Sequence, residues 1–227
     1  MNQDQVFFSR EGDGWFRRNK AVLLDRTEKM DWPSQFVGML KKEEKENIHS
    51  IAELGCSNGW RLNNLREQFG PNCRFVGVDA SGEAIQEGEK TYKQIEFHQG
   101  LLSKLPLSEQ FDLVIVYFVL HWVDRETLCS SIAEIDRVVK DNGLLIIGDF
   151  LPDFPQKRHY HHCPNEKVYT YKIDYAKIFE SFGTYKELSR INFNHDNPSL
   201  NIEPVDSGSR AFCSLLYKSH DRFYPEV

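Results

Sequence analysis

Four residue groups in this chain have the types and spacing for chemistry. Glu53, Gly55 and Gly59 form an E-x-G-x-x-x-G turn after an apolar segment, and Asp79 closes a second apolar segment, R-F-V-G-V-D. Glycines let a backbone approach a ligand closely, and a lone carboxylate can accept hydrogen bonds from both hydroxyls of a ribose. Together they read as the nucleoside-binding edge of a βαβ unit. A dinucleotide fingerprint would need glycine where Ser57 and Trp60 stand. A P-loop would need Gly-Lys-Ser/Thr where Gly59-Trp60-Arg61 stands. The nucleoside is therefore one that brings no pyrophosphate to the turn. The other two groups are imidazoles, the usual general bases near neutral pH: His121, after a third apolar segment, and the cluster His159, His161, His162.

Each histidine reading has an alternative. His121 could simply satisfy a backbone carbonyl at a strand end while Trp122 packs on the core. The cluster, with Cys163, has the donors of a zinc site. No second ligand pair at helical or knuckle spacing follows it, which favours a polar substrate loop with Tyr160, Tyr169 and Tyr171 as stacking or hydroxyl-bonding partners. No metal is expected.

The elements that must position these groups alternate. Residues 51–54, 75–78, 95–98, 113–118 and 144–148 are short apolar strands, and 60–69, 82–92 and 125–139 are helices between them. Asp141-Asn142-Gly143 is a turn signal that should end the last helix. Repeated β-then-α order implies a doubly wound, mostly parallel sheet covered on both faces, with ligands at the carboxyl ends of its strands. Before it, residues 1–47 should form helices at 14–26 and 33–46, with the charged run Lys41–Asn47 on a solvated face. After it the rhythm breaks. Residues 151–165 read as a long functional loop, 173–182 as a helix, and 186–193 with 210–218 as an antiparallel pair at the sheet edge.

Composition sets limits. The 227 residues allow one α/β domain with additions. A net charge of −6 gives no general pull toward nucleic acid or an anionic membrane. The longest apolar run, 113–120, is too short to span a bilayer, and no charged-then-apolar leader opens the sequence. Five scattered cysteines without C-x-x-C spacing read as reduced thiols in a cytoplasmic protein.

The turn at 51–59 resembles motif I of the class I S-adenosylmethionine-dependent methyltransferases. The resemblance continues through F-D-L-V-I-V-Y-F-V-L-H-W-V at 111–123, similar to their fourth-strand motif, and H-Q-G-L-L-S-K-L-P-L at 98–107, similar to their adenine loop. It implies a seven-stranded Rossmann-like sheet within 48–227, a C-terminal antiparallel hairpin, a helical lid over 1–47 and a substrate-loop insertion at 150–185. It also implies S-adenosyl-L-methionine held by Glu53, Gly55, Cys56, Ser57, Gly59, Asp79, Ala80, Leu101, Leu102 and Tyr117. Two positions depart from the family: Ser57 stands where a glycine is usual, and Leu101 where an acid usually receives the adenine amine. Backbone atoms of Leu101 and Leu102, or the Ser103 hydroxyl, would have to replace that acid.

Residues 7–20 and 159–179 resemble, over short segments, methylases associated with bacterial surface-sugar synthesis, including the pseudaminic acid-associated group. This implies a lid ending in Arg18-Asn19, a Lys-x-Asp-Phe/Tyr-Ala-Lys element at 172–177, and a sugar or sugar-nucleotide acceptor. The expected function is methyl transfer to an oxygen or nitrogen of a small polar metabolite. His121, His161 and His159 are the candidate bases; Trp15, Arg18, Trp122, Tyr160, His162, Tyr169 and Tyr171 are the candidate acceptor contacts. No Asn-Pro-Pro-Tyr loop and no basic stripe marks a nucleic-acid substrate. Methylation of a macromolecule such as tRNA or protein, and non-catalytic cofactor binding, are the competing readings.

Overall fold

Five short strands, apolar on both faces, line up in parallel because helices cover each side of them. In the computed structural model, which describes residues 2–24, 30–199, 204–224 and 226, these are β1 (Ser50–Leu54), β2 (Arg74–Asp79), β3 (Glu96–Gln99), β4 (Phe111–Tyr117) and β5 (Val139–Phe150). Two further strands, β8 (Tyr185–Asn194) and β9 (Arg210–Lys218), complete a seven-stranded sheet of order β3-β2-β1-β4-β5-β9-β8. β9 runs antiparallel between β5 and β8. The order reverses between β1 and β4, which opens a crevice at their carboxyl ends.

Fully buried Ala52, Val114 and Ile147 face one core, shared with α7 (Leu128–Val138) and α8 (Ala176–Glu180) through Ile135 and Phe179. Ile51, Leu113 and Ile146 face the other, with Leu62 and Leu65 of α5 (Trp60–Arg66) and Phe36 and Val37 of α3 (Trp32–Met39). Each such side chain contributes about 1.5–3 kcal/mol on burial, and the two layers hold β1 and β4 rigid under the crevice. The helix α6 (Gly82–Thr91) follows β2, its N-terminus capped by Ser81, whose hydroxyl accepts from Ala84 N–H at 3.1 Å.

Several boundaries differ from expectation. The helix read at 14–26 is α2 (Gly12–Leu24), preceded by α1 (Gln3–Val6) and a π-helical turn over Phe7–Glu11; residues 25 and 26 lie outside the described residues. The helix read at 33–46 is two helices, α3 and α4 (Lys42–Glu46). Leu40 leaves the helical region (ψ 141°) to pack on the core, while the charged run stays in water. The Asp141-Asn142-Gly143 signal does not end a helix before a separate strand. The helix stops at Val138, Val139 already pairs with Phe111, and residues 140–143 bulge from the ladder, with Asn142 at φ 61°. The long loop read at 151–165 carries a strand: β6 (Gln156–His159) pairs antiparallel with β7 (Tyr169–Lys172) in a separate hairpin. Its alternation of basic and aromatic residues is that of a small ribbon, a pattern the prolines around it obscured. No helix among the described residues is long and apolar enough to cross a membrane.

Candidate functional site

A cavity of about 660 Å3 lies at the carboxyl ends of β1, β2 and β4, within the size range of small-molecule sites. Its floor is the glycine turn. Gly55 (φ 84°) and Cys56 both donate their N–H groups to Val78 O, at 2.7 and 3.0 Å, which folds the turn back under β2. A methyl group on Gly55 would collide with Val119, so glycine is required there both by conformation and by space. Ser57, in the place of a family glycine, holds φ 52°. A non-glycine residue pays about 1–2 kcal/mol for that conformation, and here it aims its N–H at Asp79 Oδ2, 2.7 Å away.

Asp79 receives Ser81 N–H on its other oxygen at 2.8 Å. Both oxygens are thereby fixed, each with a lone pair left for the cavity. Burial raises the Asp79 pKa, partly offset by these backbone hydrogen bonds. Beside it, Glu53 and Asp31 bracket the buried guanidinium of Arg61: Asp31 accepts from Nε and Nη2 (2.9–3.0 Å) and Glu53 accepts from Nη1. The same guanidinium lies 4.8 Å from the Trp60 ring centroid and 5.0 Å from that of Tyr117. Burial pushes the Glu53 carboxyl up to about 7 against the pull of Arg61. Glu53 Oε2 and Ser57 Oγ are buried without a hydrogen-bond partner, and both residues line the cavity.

The opposite end is aromatic. Phe118 adopts φ 56° directly after β4, and its ring meets those of Phe150, Phe193, His121 and His195 at centroid distances of 5.2–6.4 Å. His121, 4% exposed, follows in a 3-10 turn (Leu120–Trp122). Its Nδ1 lies 2.9 Å from Oδ1 and 3.1 Å from Oδ2 of Asp149, a fully buried carboxylate near the end of β5. Asp149 also accepts the backbone N–H of His121 (3.1 Å) and of Phe150 (2.8 Å). A carboxylate so held fixes the imidazole with its proton on Nδ1 and leaves Nε2 as an acceptor.

The N-terminal segment crosses above. At one end Gln3 exchanges hydrogen bonds with the backbone of Tyr169, and Asp4 accepts from Asp124 N–H at 2.8 Å, from Thr127 Oγ1 and from Ser103 Oγ at 3.4 Å. At the other end Gly12 packs against the backbone of Ala80 and Ser81, and Asp13 accepts from Ser81 Oγ (2.7 Å) and Glu83 N–H (3.0 Å). Between these anchors Glu11 accepts from Arg18 and from the Tyr160 hydroxyl, tying the segment to the β6–β7 hairpin.

Of the ten residues expected around the cofactor, Glu53, Gly55, Cys56, Ser57, Asp79, Ala80, Leu101, Leu102 and Tyr117 line the cavity; Gly59 does not, its open face being packed by Phe97. His121, Trp15 and Trp122 line it too. The hairpin residues do not. His159 reaches Glu166 O, His161 and His162 lie against each other at a tilt in solvent, and Arg18 and Tyr160 are used on Glu11. Tyr169 and Tyr171 lie under Lys157, and Arg125 covers Tyr171. The hairpin folds these side chains away from the crevice, onto the strap or into solvent. Cys163 turns its thiol to Glu11, and among the described residues no group of three or more His, Cys, Asp or Glu side chains is placed to hold a metal. Sequence reasoning missed Asp31, Arg61, Phe118, Asp149, Phe150, Phe193 and His195. Only Asp149, at the end of an apolar segment, resembled Asp79 enough to be found.

Residues 51–143 match the methyltransferase domain family. Among curated relatives, trans-aconitate 2-methyltransferase of Azoarcus sp. (strain BH72) is 28% identical over 110 residues, 48% of this chain and 42% of that one. The first curated relatives are likewise matched over less than half of their own length. Among solved structures, an S-adenosylmethionine-dependent methyltransferase from Clostridium acetobutylicum superposes with a TM-score of 0.61 at 14% identity, covering 89% of this chain and 99% of that one. The N-methyltransferase NodS of Bradyrhizobium japonicum WM9, in complex with S-adenosyl-L-homocysteine, gives 0.56 at 14% identity, covering 96% and 99%. The fold is that of the class I S-adenosylmethionine-dependent methyltransferases, and residues 51–143 within it carry the matched domain. Its residues fit that cofactor, for Gly55 leaves a cradle that a Cβ would fill, Asp79 offers two oriented oxygens, and Glu53 and Ser57 hold unpartnered acceptor atoms at the wall.

Proposed function

We propose that this chain transfers a methyl group from S-adenosylmethionine to an oxygen or nitrogen of a small-molecule acceptor, with His121 as general base. The observation that carries the reading is His121, on the wall of the cavity that also holds the glycine turn and Asp79, backed by the buried Asp149 behind it. S-adenosylmethionine, when bound, supplies a methyl group already activated on a sulfonium. The protein is left with alignment, exclusion of water and handling of one proton.

Asp79 is assigned the ribose hydroxyls, Glu53 and Ser57 the amino group of the methionine portion, and Leu101 and Leu102 the adenine. The acid that the family places at Leu101 has a substitute from the other end of the sequence, since Asp4 lines the same part of the cavity and bonds Ser103. At the far wall, Phe118, Phe150 and Phe193 orient the acceptor, and Nε2 of His121 takes its proton as the new bond forms. Asp149 positions that imidazole and stabilises its protonated form. A polar sugar remains an acceptor to be tested, but the tyrosines offered for it stand off the cavity.

Asp79→Ala is expected to weaken binding of S-adenosylhomocysteine by about 1–3 kcal/mol, the scale of charge-assisted hydrogen bonds; unchanged affinity by calorimetry removes the ribose assignment. Because Glu53 titrates at about 7, the carboxylate that receives the ligand's ammonium is lost as pH falls below that value. Affinity should therefore climb as pH rises through 7 and then level. Glu53→Gln should flatten that profile at its low end; a variant with the wild-type profile would assign the amine elsewhere.

The activity itself is tested with methyl-labelled cofactor and a fractionated lysate. Label in a small-molecule fraction supports the reading, label in polymer indicates tRNA or protein methylation, and binding without transfer indicates a cofactor-binding protein.

A further inference from the structure

A second imidazole lines the acceptor end of the cavity, and the proposed chemistry gives it no part. His195 follows β8 at the cavity rim, its side chain 36% exposed. Its backbone N–H donates to Ser209 O at 2.9 Å, and the next N–H, of Asp196, donates to Asn194 Oδ1 at 2.9 Å, which fixes the turn. The His195 and His121 rings each lie 4.9 Å, centroid to centroid, from Phe150. Each also has a carboxylate beside one nitrogen: Asp149 at Nδ1 of His121, and Asp196 Oδ1 3.4 Å from Nε2 of His195. A carboxylate beside one nitrogen draws the proton there and leaves the other nitrogen as an acceptor. The wall thus carries two hydrogen-bond acceptors, Nε2 of His121 and Nδ1 of His195.

The two pairs differ in burial. Asp149 is fully buried, whereas the Asp196 side chain is 70% exposed. Burial lowers the His195 pKa, opposed by Asp196 and reinforced by Lys172 and His121, so this imidazole stays neutral. His121 is left to take a proton and His195 to hold a group in place. Charge, shape and acidity then narrow the acceptor. Arg61 is the only Lys or Arg among the described residues lining the cavity, and Asp31 and Glu53 bracket it, so an anion has no counter-charge. A cation would stand beside the sulfonium it must attack, and Phe150 already has the Lys172 ammonium 3.6 Å from its ring centroid. Phe150 and Phe193 meet the Phe118 ring at 72° and 82°, walls that a flat ring can fill by face and edge contacts. An imidazole base is matched to a phenolic hydroxyl, which ionises at about 10, better than to an alcohol, which lies near water at about 15.7.

We propose, building on the methyltransferase reading, that the acceptor is an uncharged phenol with a second hydroxyl on the same ring, the reacting hydroxyl donating to Nε2 of His121 and the second to Nδ1 of His195. In the transfer the phenolic proton passes to Nε2 of His121 and an oxygen lone pair forms the O–CH3 bond. The electron pair of the broken S–CH3 bond stays with sulfur, leaving a neutral thioether and a methyl aryl ether. His195 keeps its proton throughout and fixes which hydroxyl reacts.

The test uses the full chain saturated with S-adenosylhomocysteine, titrated by calorimetry with catechol, resorcinol, phenol, trans-1,2-cyclohexanediol and benzylamine. The tighter-binding of the two diphenols should exceed phenol by about three- to tenfold, the scale of one net hydrogen bond, and should also exceed the cyclohexanediol and benzylamine. In His195→Phe, which keeps a ring against Phe150, the advantage over phenol should fall to near unity. His195→Asn, which returns a carbonyl acceptor, should restore part of it. A residue that only packed would leave that ratio unmoved. With methyl-labelled S-adenosylmethionine the same diphenol should become its monomethyl ether, while the cyclohexanediol stays unlabelled. Equal binding of diphenols and phenol, a preference for the cyclohexanediol or benzylamine, an advantage that survives His195→Phe, or no labelled ether would each overturn the proposal. Saturation with S-adenosylhomocysteine is measured first. Its failure would count against the methyltransferase reading, whereas failure of the diphenols alone counts only against the phenolic site.

Discussion

Replacing His121 by alanine should lower kcat by about 10²–10⁴-fold, the usual contribution of a positioned general base, while affinity for S-adenosylhomocysteine stays at the wild-type level. The split follows from placement, because His121 lines the aromatic end of the cavity and touches none of the groups around Asp79. Asp149→Asn should reproduce most of the loss with the imidazole still present. An amide can offer its N–H group to Nδ1, which allows the proton to settle on Nε2 and blunts the base. Wild-type turnover in His121→Ala would move the proton transfer to His195 or to water.

The second large effect is on stability. Arg61→Met should destabilise the fold by about 3–5 kcal/mol, because it leaves Glu53 and Asp31 buried with no counter-charge. For a domain of this size that corresponds to a fall in Tm of roughly 6–20 °C. The sign with pH is fixed by Glu53. Its folded-state pKa of about 7 exceeds the unfolded value of 4.5, so the folded state binds the extra proton and this group's contribution falls as pH rises from about 4.5 to about 7. The mutant should therefore recover part of its Tm on acidification, and Arg61→Met with Glu53→Gln should melt above Arg61→Met alone. A Tm within a degree or two of wild type would mean that water reaches the triad.

What was legible in the sequence follows from what each signal depends on. The parallel strands and Asp79 rest on local pattern: apolar runs stopped by Gly, Asp or Asn, which any doubly wound sheet must show. The strand at 210–218 was located to the residue for the same reason, though it lies inside the sheet between β5 and β8, and β8, the true edge, was located to within one residue at each end. The hairpin at 156–172 was hidden because its strands are four residues each and their outward faces are basic or tyrosine, not apolar. Its histidines looked like a substrate cluster because composition carries no direction; three-dimensional register turned them outward. Asp31, Arg61 and Glu53 are far apart in sequence, and no spacing announces a triad assembled from a helix cap, a helix and a strand. His195 and Phe193 come from the end of β8, and only the strand order puts that end beside β4 and β5 through β9.

The N-terminal strap joins the cavity wall to two distant anchors, Asp4 at the 3-10 turn and α7, and Asp13 on the N-terminus of α6. Any ligand filling the cavity touches this segment and the sheet at once, through Phe7, Trp15 and Leu23 on one side and Asp79 on the other. Occupancy and the local folding of the first two dozen residues are thus thermodynamically linked. Adding S-adenosylhomocysteine should slow amide hydrogen exchange in α1 and α2 far more than in β8 or β9, and should shield that terminus from proteolysis. The amino terminus then serves as the protein's own gauge of whether its cofactor is present, readable without any knowledge of the acceptor.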